Sequence, residues 1–231
     1  MALFAIADLH LSLGTDKPMD IFGERWRNYV EKIENGWKNT VSEEDTVIIA
    51  GDFSWAMNEQ ELIPDLDFLE SLPGKKLLMK GNHDYWWSTL TKLNKLLCER
   101  GYKTIGFMFN SAYSCSGIAA CGSRGWDIFA STGHDDKMVR RENGRLKTSC
   151  QLASQMEGEP VVFMHYPPVS PTSGKDEFIE VMHQFNVKRC YYGHIHYSGA
   201  GRVFQGEKFG IEFKLISADM LNFIPEKISK D

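Results

Sequence analysis

Five short apolar, β-prone runs in this chain each lead into residues able to hold a metal ion. No other feature limits the fold as strongly. The runs cover residues 3–7, 46–50, 76–80, 161–164 and 190–192. They are followed by Asp8-Leu9-His10, Gly51-Asp52, Gly81-Asn82-His83-Asp84, His165 and Gly193-His194-Ile195-His196, which take five of the seven histidines. Strand ends on one edge of a sheet converge in space even when the sequence gaps are long, and open α/β sheets bind ligands beyond the carboxyl ends of their strands. The order therefore predicts one dinuclear metal centre built from five loops, and hence an enzyme.

The segments between the runs support a layered α/β protein. Trp26, Tyr29, Val30, Ile33 and Trp37 have helical spacing, which predicts a helix over residues 25–37. Residues 59–72 and 88–99 behave similarly, stopped by Pro73-Gly74 and Gly101. This strand-helix alternation favours right-handed βαβ units and a parallel core. Residues 112–121 read as one strand, 122–127 as a loop, and 135–156 and about 176–185 as helices. In the tail, strands over 201–204 and 210–217 flank a predicted hairpin turn at Gln205-Gly206-Glu207. The whole reads as a mixed sheet, or two sheets face to face, flanked by helices. Neither an internal repeat nor a Pro/Gly/Ser linker divides it, so residues 1–231 are expected to form one domain.

Composition narrows the class. With 42% apolar and 25% charged residues the chain can bury a substantial core. A net charge of −5 without a basic stripe argues against an obligatory polyanion partner, so nucleic acid is not favoured. A local basic pocket beside metal ions is still compatible with that charge. The five cysteines are odd in number and form no Cys-x-x-Cys pair, as expected for reduced, mostly buried thiols of a cytoplasmic protein. The first apolar run has no basic region before it and Asp8 interrupts it, so it is read as neither signal peptide nor anchor. No stretch approaches the length of a bilayer span.

The cluster chemistry can be read residue by residue. Asp8 and His10, two apart, would point to one side of an extended strand end and grip a single ion. Gly51 permits close backbone approach, and the carboxylate of Asp52 can bridge two cations. Asn82 offers a neutral carbonyl oxygen. His194 and His196 can contact neighbouring ions if the backbone between them is turned, and His165 completes the set. Mixed N/O ligation without sulfur suits two divalent ions such as Mn, Fe, Zn, Co or Ni better than Mg or Ca. Each motif alone has a bland explanation in a turn or a core histidine. All five together, each after a strand, do not.

The pattern D-x-H, G-D, G-N-H-[D/E], H, G-H-x-H resembles that of the calcineurin-like metallophosphoesterase superfamily, and in particular its small bacterial predicted phosphohydrolases. It spans residues 8 to 196 without substitution. The resemblance implies a four-layer α/β/β/α sandwich with two mixed sheets. It implies that Asp8, His10, Asp52 and His196 hold one metal, and that Asp52, Asn82, His165 and His194 hold the second. A hydroxide shared by the two cations would attack a phosphomonoester or phosphodiester. His83 would stabilise the transition state or protonate the leaving oxygen, with Asp84 orienting its ring. The segment Asp52-Phe53-Ser54-Trp55 lacks the acidic-Arg-Gly element of the Ser/Thr phosphatases, and His83 stands where lipid A precursor hydrolases carry Arg.

Substrate candidates lie beside these blocks. Trp55 and Trp86 could stack a nucleobase, against the alternative that they plug the core. Arg124, between glycines in Gly122-Ser123-Arg124-Gly125, could reach a phosphate. The expected substrate is a small phosphorylated compound or nucleotide. The competing readings are a nuclease and a binding scaffold that has lost its metals.

Overall fold

The computed structural model describes residues 1–127, 136–169 and 177–229. Its first half alternates as expected. β1 (Leu3–Ile6), β2 (Thr46–Ile49), β3 (Lys75–Leu78) and β4 (Ile105–Phe107) run parallel, joined by α1 (Tyr29–Lys38), α2 (Glu59–Ser71) and α3 (Leu90–Arg100). The second half contributes β5 (Tyr113–Cys115), β6 (Ile118–Ser123), α4 (Asp136–Ala153), β7 (Glu159–Met164), α5 (Glu177–Gln184) and β8 (Arg189–Tyr192). It ends with β9 (Gly206–Lys208), β10 (Ile211–Leu215) and β11 (Glu226–Lys227). The sheet orders are β11-β1-β2-β3-β4 and β5-β6-β7-β8-β10-β9. Both are mixed, because β11, β5 and β9 pair antiparallel at the edges of otherwise parallel strands.

Side-chain alternation along the strands explains the layering. Phe4, Ile6, Val47, Ile49 and Leu78 face outward onto α1, α2 and α3 through Ile33, Trp37, Leu66 and Leu97. Their neighbours Leu3, Ala5, Ile48 and Leu77 face inward and meet Ile118, Ala120, Val161 and Phe163 of the second sheet. The other face of that sheet, with Cys121, Val162, Met164 and Tyr192, packs on α4 and α5. Strands buried on both faces are the expected outcome for parallel sheets covered by helices. The architecture is the four-layer α/β/β/α sandwich with two mixed sheets.

Several local readings shift. The helix expected over 25–37 breaks at Asn28, which is left-handed (φ 53°), so a 3-10 turn at Glu24–Trp26 precedes α1. The strand expected over 112–121 is a hairpin, with Ser116 and Gly117 both at positive φ between β5 and β6. The tail hairpin turns at Phe209-Gly210 rather than at 205–207, and residues 201 and 202 end a 3-10 helix. Asp135 and Asp176, the expected starts of two helices, lie outside the described residues. Cys115, Cys121, Cys150 and Cys190 are buried free thiols, whereas Cys98 is exposed. Among the described residues, no helix is long and apolar enough to cross a membrane.

Candidate metal centre

All five blocks sit just past the C-terminal ends of parallel strands β1, β2, β3, β7 and β8. Backbone bonds hold these loops to one another. Asp8 and His10 donate their N–H groups to the carbonyls of Gly51 and Asp52 at 3.0 Å, and Ala7 bonds across to Ile216 of the second sheet at 2.9 Å. The loops are conformationally unusual. Asp8, His10, Asp52 and His194 all have left-handed φ (58°, 47°, 51° and 72°). Such residues cost about 1 kcal/mol or more each and cluster at functional sites, although Asp and His tolerate the region better than most types. Asp8 and His10 therefore converge through a left-handed turn, not through the extended alternation expected of them.

The structure gathers the candidate ligands into two groups. Asp8, His10 and His196 form one, and Asp52, His165 and His194 the other, with potential ligand atoms within 4.8 Å of one another in each. Asn82 joins the second group, its Oδ1 2.7 Å from His165 Nε2. Asp52 Oδ2 lies between the groups, 3.4 Å from His165 Nε2 and 3.7 Å from His10 Nε2. The turn at His194 sends His194 and His196 to different groups. Two glycines are required by crowding: a Cβ on Gly51 would come within 2.6 Å of His165 Nδ1, and one on Gly81 within 2.1 Å of Asp52 Oδ1.

The residues present fit divalent metal. Asp8 Oδ1 and both ring nitrogens of His10 are buried without a hydrogen-bond partner, an arrangement that is costly unless something else occupies the site. Burial pushes His10 and His194 down to about 3, so both rings are neutral, the ligating form. Complete burial raises Asp8 to about 6. Burial also acts against charge on Asp52 and His165, but their mutual attraction wins. Asp52 is held well below the usual carboxylate range, and His165 rises to about 9. His165 Nε2 faces both the Asn82 Oδ1 and the Asp52 carboxylate. His165 Nδ1 lies 3.2 Å from the Ala50 carbonyl, which orients the ring.

Asp84 departs from expectation. Its carboxylate accepts N–H groups from Gly81 (2.6 Å), Asp52 (3.0 Å), Phe53 (3.0 Å) and Ser54 (3.3 Å), and from the Trp86 indole (3.2 Å). It does not orient the His83 ring, whose Nδ1 is unpartnered. Asp84 instead ties the Gly51-Asp52 loop to the Gly81-Asn82 loop. Burial and the nearby Asp52 raise it to about 7. Trp86 is also corrected. Its ring is buried against Phe53 and Trp87 and its N–H is engaged by Asp84, so it supports the loop from the core and is no substrate platform.

Trp55 does reach the site. Its ring stacks on His10 at 4.8 Å and lies 4.4 Å from the His83 ring. With His10, His83 and His196 it lines a cavity of about 450 Å³ whose other walls include Met19, Phe22, Trp26 and Tyr197. Arg124 faces a different cavity, with its guanidinium 4.6 Å from the Trp126 ring. One residue escaped the sequence reading. Asp219 is buried, lies 3.3 Å from His196 Nδ1 and accepts the Tyr197 N–H at 2.8 Å. It orients a candidate ligand as carboxylates commonly do in metal sites. Its position four residues past β10 was the available signal.

Known proteins share this fold and this family pattern. The structure is similar to a protein of unknown function from Aquifex aeolicus (TM-score 0.54, 17% identity, 98% of this chain and 95% of the other). It is also similar to the phosphopantetheinyl hydrolase from Mycobacterium tuberculosis (TM-score 0.58, 14% identity, 100% and 96%). At these identities the likeness is one of fold. No curated protein matches the sequence. The family model for calcineurin-like phosphoesterases matches residues 1–198. With that match over most of the chain, and with candidate ligand groups where such a family needs them, the chain belongs to the calcineurin-like phosphoesterase family and is a metal-dependent phosphoesterase.

Proposed function

We propose that this phosphoesterase is dinuclear and hydrolyses a small phosphomonoester or phosphodiester. The observation that carries this reading is the placement of Asp52 Oδ2 between His10 of one ligand group and His165 of the other. Asp8, His10 and His196 would hold one ion and Asn82, His165 and His194 the second, with Asp52 shared. Two such ions supply Lewis acidity toward phosphoryl oxygens and lower the pKa of bound water.

The chain's own groups do the rest. His83 is half-buried in the cavity shared with His10 and His196, and its backbone N–H donates to Asp52 Oδ1 at 2.8 Å. The backbone of His83 is thereby tied to the ligand loops while its ring faces the cavity. Burial lowers the His83 pKa, so a neutral ring is favoured, able to donate one N–H to a phosphate oxygen. Trp55 braces that ring. The cavity, walled by Met19, Phe22, Trp26 and Tyr197, matches the size and apolar character of small-molecule sites, which supports a compact organic ester over a polynucleotide.

The test is metal analysis of the purified protein, followed by assays with Mn, Ni and Zn. Model monoesters, diesters and cyclic nucleotides form the panel. Two ions per chain and divalent-dependent hydrolysis are expected; full activity with a single ion, or no hydrolysis with any ion, overturns the reading. In His83→Ala, turnover should fall about 100-fold or more with metal content retained. Loss of metal in parallel with turnover would remove His83 from its assigned role.

A further inference from the structure

Lys80, Arg124, Arg141 and Arg145 line a second cavity of about 260 Å³, with Trp87 and Phe109 among its walls. The chain as a whole is acidic, so four cations at one small cavity are a local departure. Among the described residues, Glu142 is the carboxylate that forms ion pairs with this group, at 2.5 Å from Arg145 and 3.5 Å from Arg141. Among the described residues, Glu142 and the more distant Asp84, which acts on Lys80, face four cations, which leaves a net positive charge at the cavity.

Two of the guanidinium groups are already held in place by neighbouring side chains. Arg124 lies over Trp126, and its Nε is buried without a hydrogen-bond partner. Arg145 lies over Phe109 at 4.8 Å and is fixed by Glu142. Guanidinium groups oriented in advance, with a donor left unused, are suited to bidentate capture of a phosphate.

The cavity opens at the same sheet edge as the metal ligands. Lys80 and Phe109 lie two residues past β3 and β4, and Arg124 one residue past β6. Tyr166 links the two places: its N–H donates to the Arg124 carbonyl at 2.9 Å, and its ring lies 4.3 Å from that of His194. The aromatic cavity thus borders the Asp8, His10 and His196 group, and the cationic one lies toward the Asp52, His165 and His194 group.

We propose that the Lys80, Arg124, Arg141 and Arg145 cavity binds a second phosphate group of the substrate while the scissile phosphate is held at the metal ligands. The substrate class is an organic compound carrying two phosphate groups. This assignment of substrate rests on the phosphohydrolase reading above.

Calorimetric titration of metal-free protein with inorganic pyrophosphate tests the cavity directly. Binding is expected that weakens with salt, and that weakens about tenfold or more in Arg124→Gln and in Arg141→Ser. No binding, or binding that neither substitution changes, overturns the proposal. With the metal-loaded enzyme, phosphate release from adenosine 3′,5′-bisphosphate and from adenosine 5′-monophosphate supplies the second readout. The bisphosphate should show a kcat/KM about tenfold higher or more, and Arg141→Ser should bring the ratio toward one. A wild-type ratio near one overturns the substrate class. Hydrolysis of neither nucleotide nor any model ester overturns the phosphohydrolase reading, and the pyrophosphate titration then still decides whether the cavity is an anion site.

Discussion

Lys76 is fully buried on β3, where its Nζ donates to the Leu72 carbonyl at 2.5 Å. Burial lowers its pKa to about 8, only partly offset by Glu70 and Glu43. The unfolded chain keeps this proton to about pH 10.4. Between about pH 8 and that value the unfolded state binds more protons, so this group makes stability rise with pH in that window. Lys76→Met keeps an unbranched stem and removes the buried charge. It should raise Tm at pH 7 by about 2–4 °C, the equivalent of roughly 1 kcal/mol, with the gain shrinking above pH 8. A fall in Tm at pH 7 would show that the ammonium stabilises the fold. Asp84 teaches a related lesson. Its place in Gly81-Asn82-His83-Asp84 was legible as functional, but its partners were not. Which donors a carboxylate meets depends on how two loops distant in sequence fold over each other, and here it meets five N–H groups and no imidazole ring.

Strand ends were the most legible elements, because short apolar runs followed by Asp, Asn or His leave little freedom in placing the turn. The hairpins were less so. Cys115 and Ile118 pair across Ser116-Gly117, a dipeptide of turn type, although apolar and β-prone residues on both sides make 112–121 read as one strand. Phe209 adopts a left-handed conformation that its type rarely takes, so Gln205-Gly206-Glu207 looked the better turn. The end of β10 obeys the same rule as the other five, with Asp219 following it and bonded to His196 Nδ1, although no His or Gly-Asp block marks it in the sequence. Asp219→Ala should weaken metal affinity about 10- to 100-fold, read by competition with a chromophoric chelator. Unchanged affinity would make Asp219 a support for the Tyr197 loop alone.

Two sheets share one inner core, in which Leu3, Ile48 and Leu77 meet Ile118, Val161 and Phe163. Each such side chain contributes about 1.5–3 kcal/mol of transfer free energy, enough to hold several left-handed ligand residues in place. β11 closes the first sheet onto β1, and β10 joins β8 in the second, so the tail beyond residue 198 completes both. We propose that the chain unfolds as one domain. Calorimetry should show one transition for the metal-loaded protein, moving down by about 5–10 °C or more after chelation, since each ion at 100 times its Kd adds about 2.7 kcal/mol. Two separate transitions would argue for independent units, and an unmoved Tm would argue against tightly held metal.

The residue types and their order settled the fold class, the metal-binding chemistry and the family, because continuous apolar runs and N/O ligand blocks are local patterns that survive without coordinates. The left-handed turns that aim the ligands, the distances between them, the buried roles of Asp84 and Trp86, and the cationic cavity at Arg124 all come from the folded arrangement. Each depends on which side chains meet across sheets and loops separated by tens of residues. Those distances are set by packing of the whole sandwich and leave no trace in any one segment.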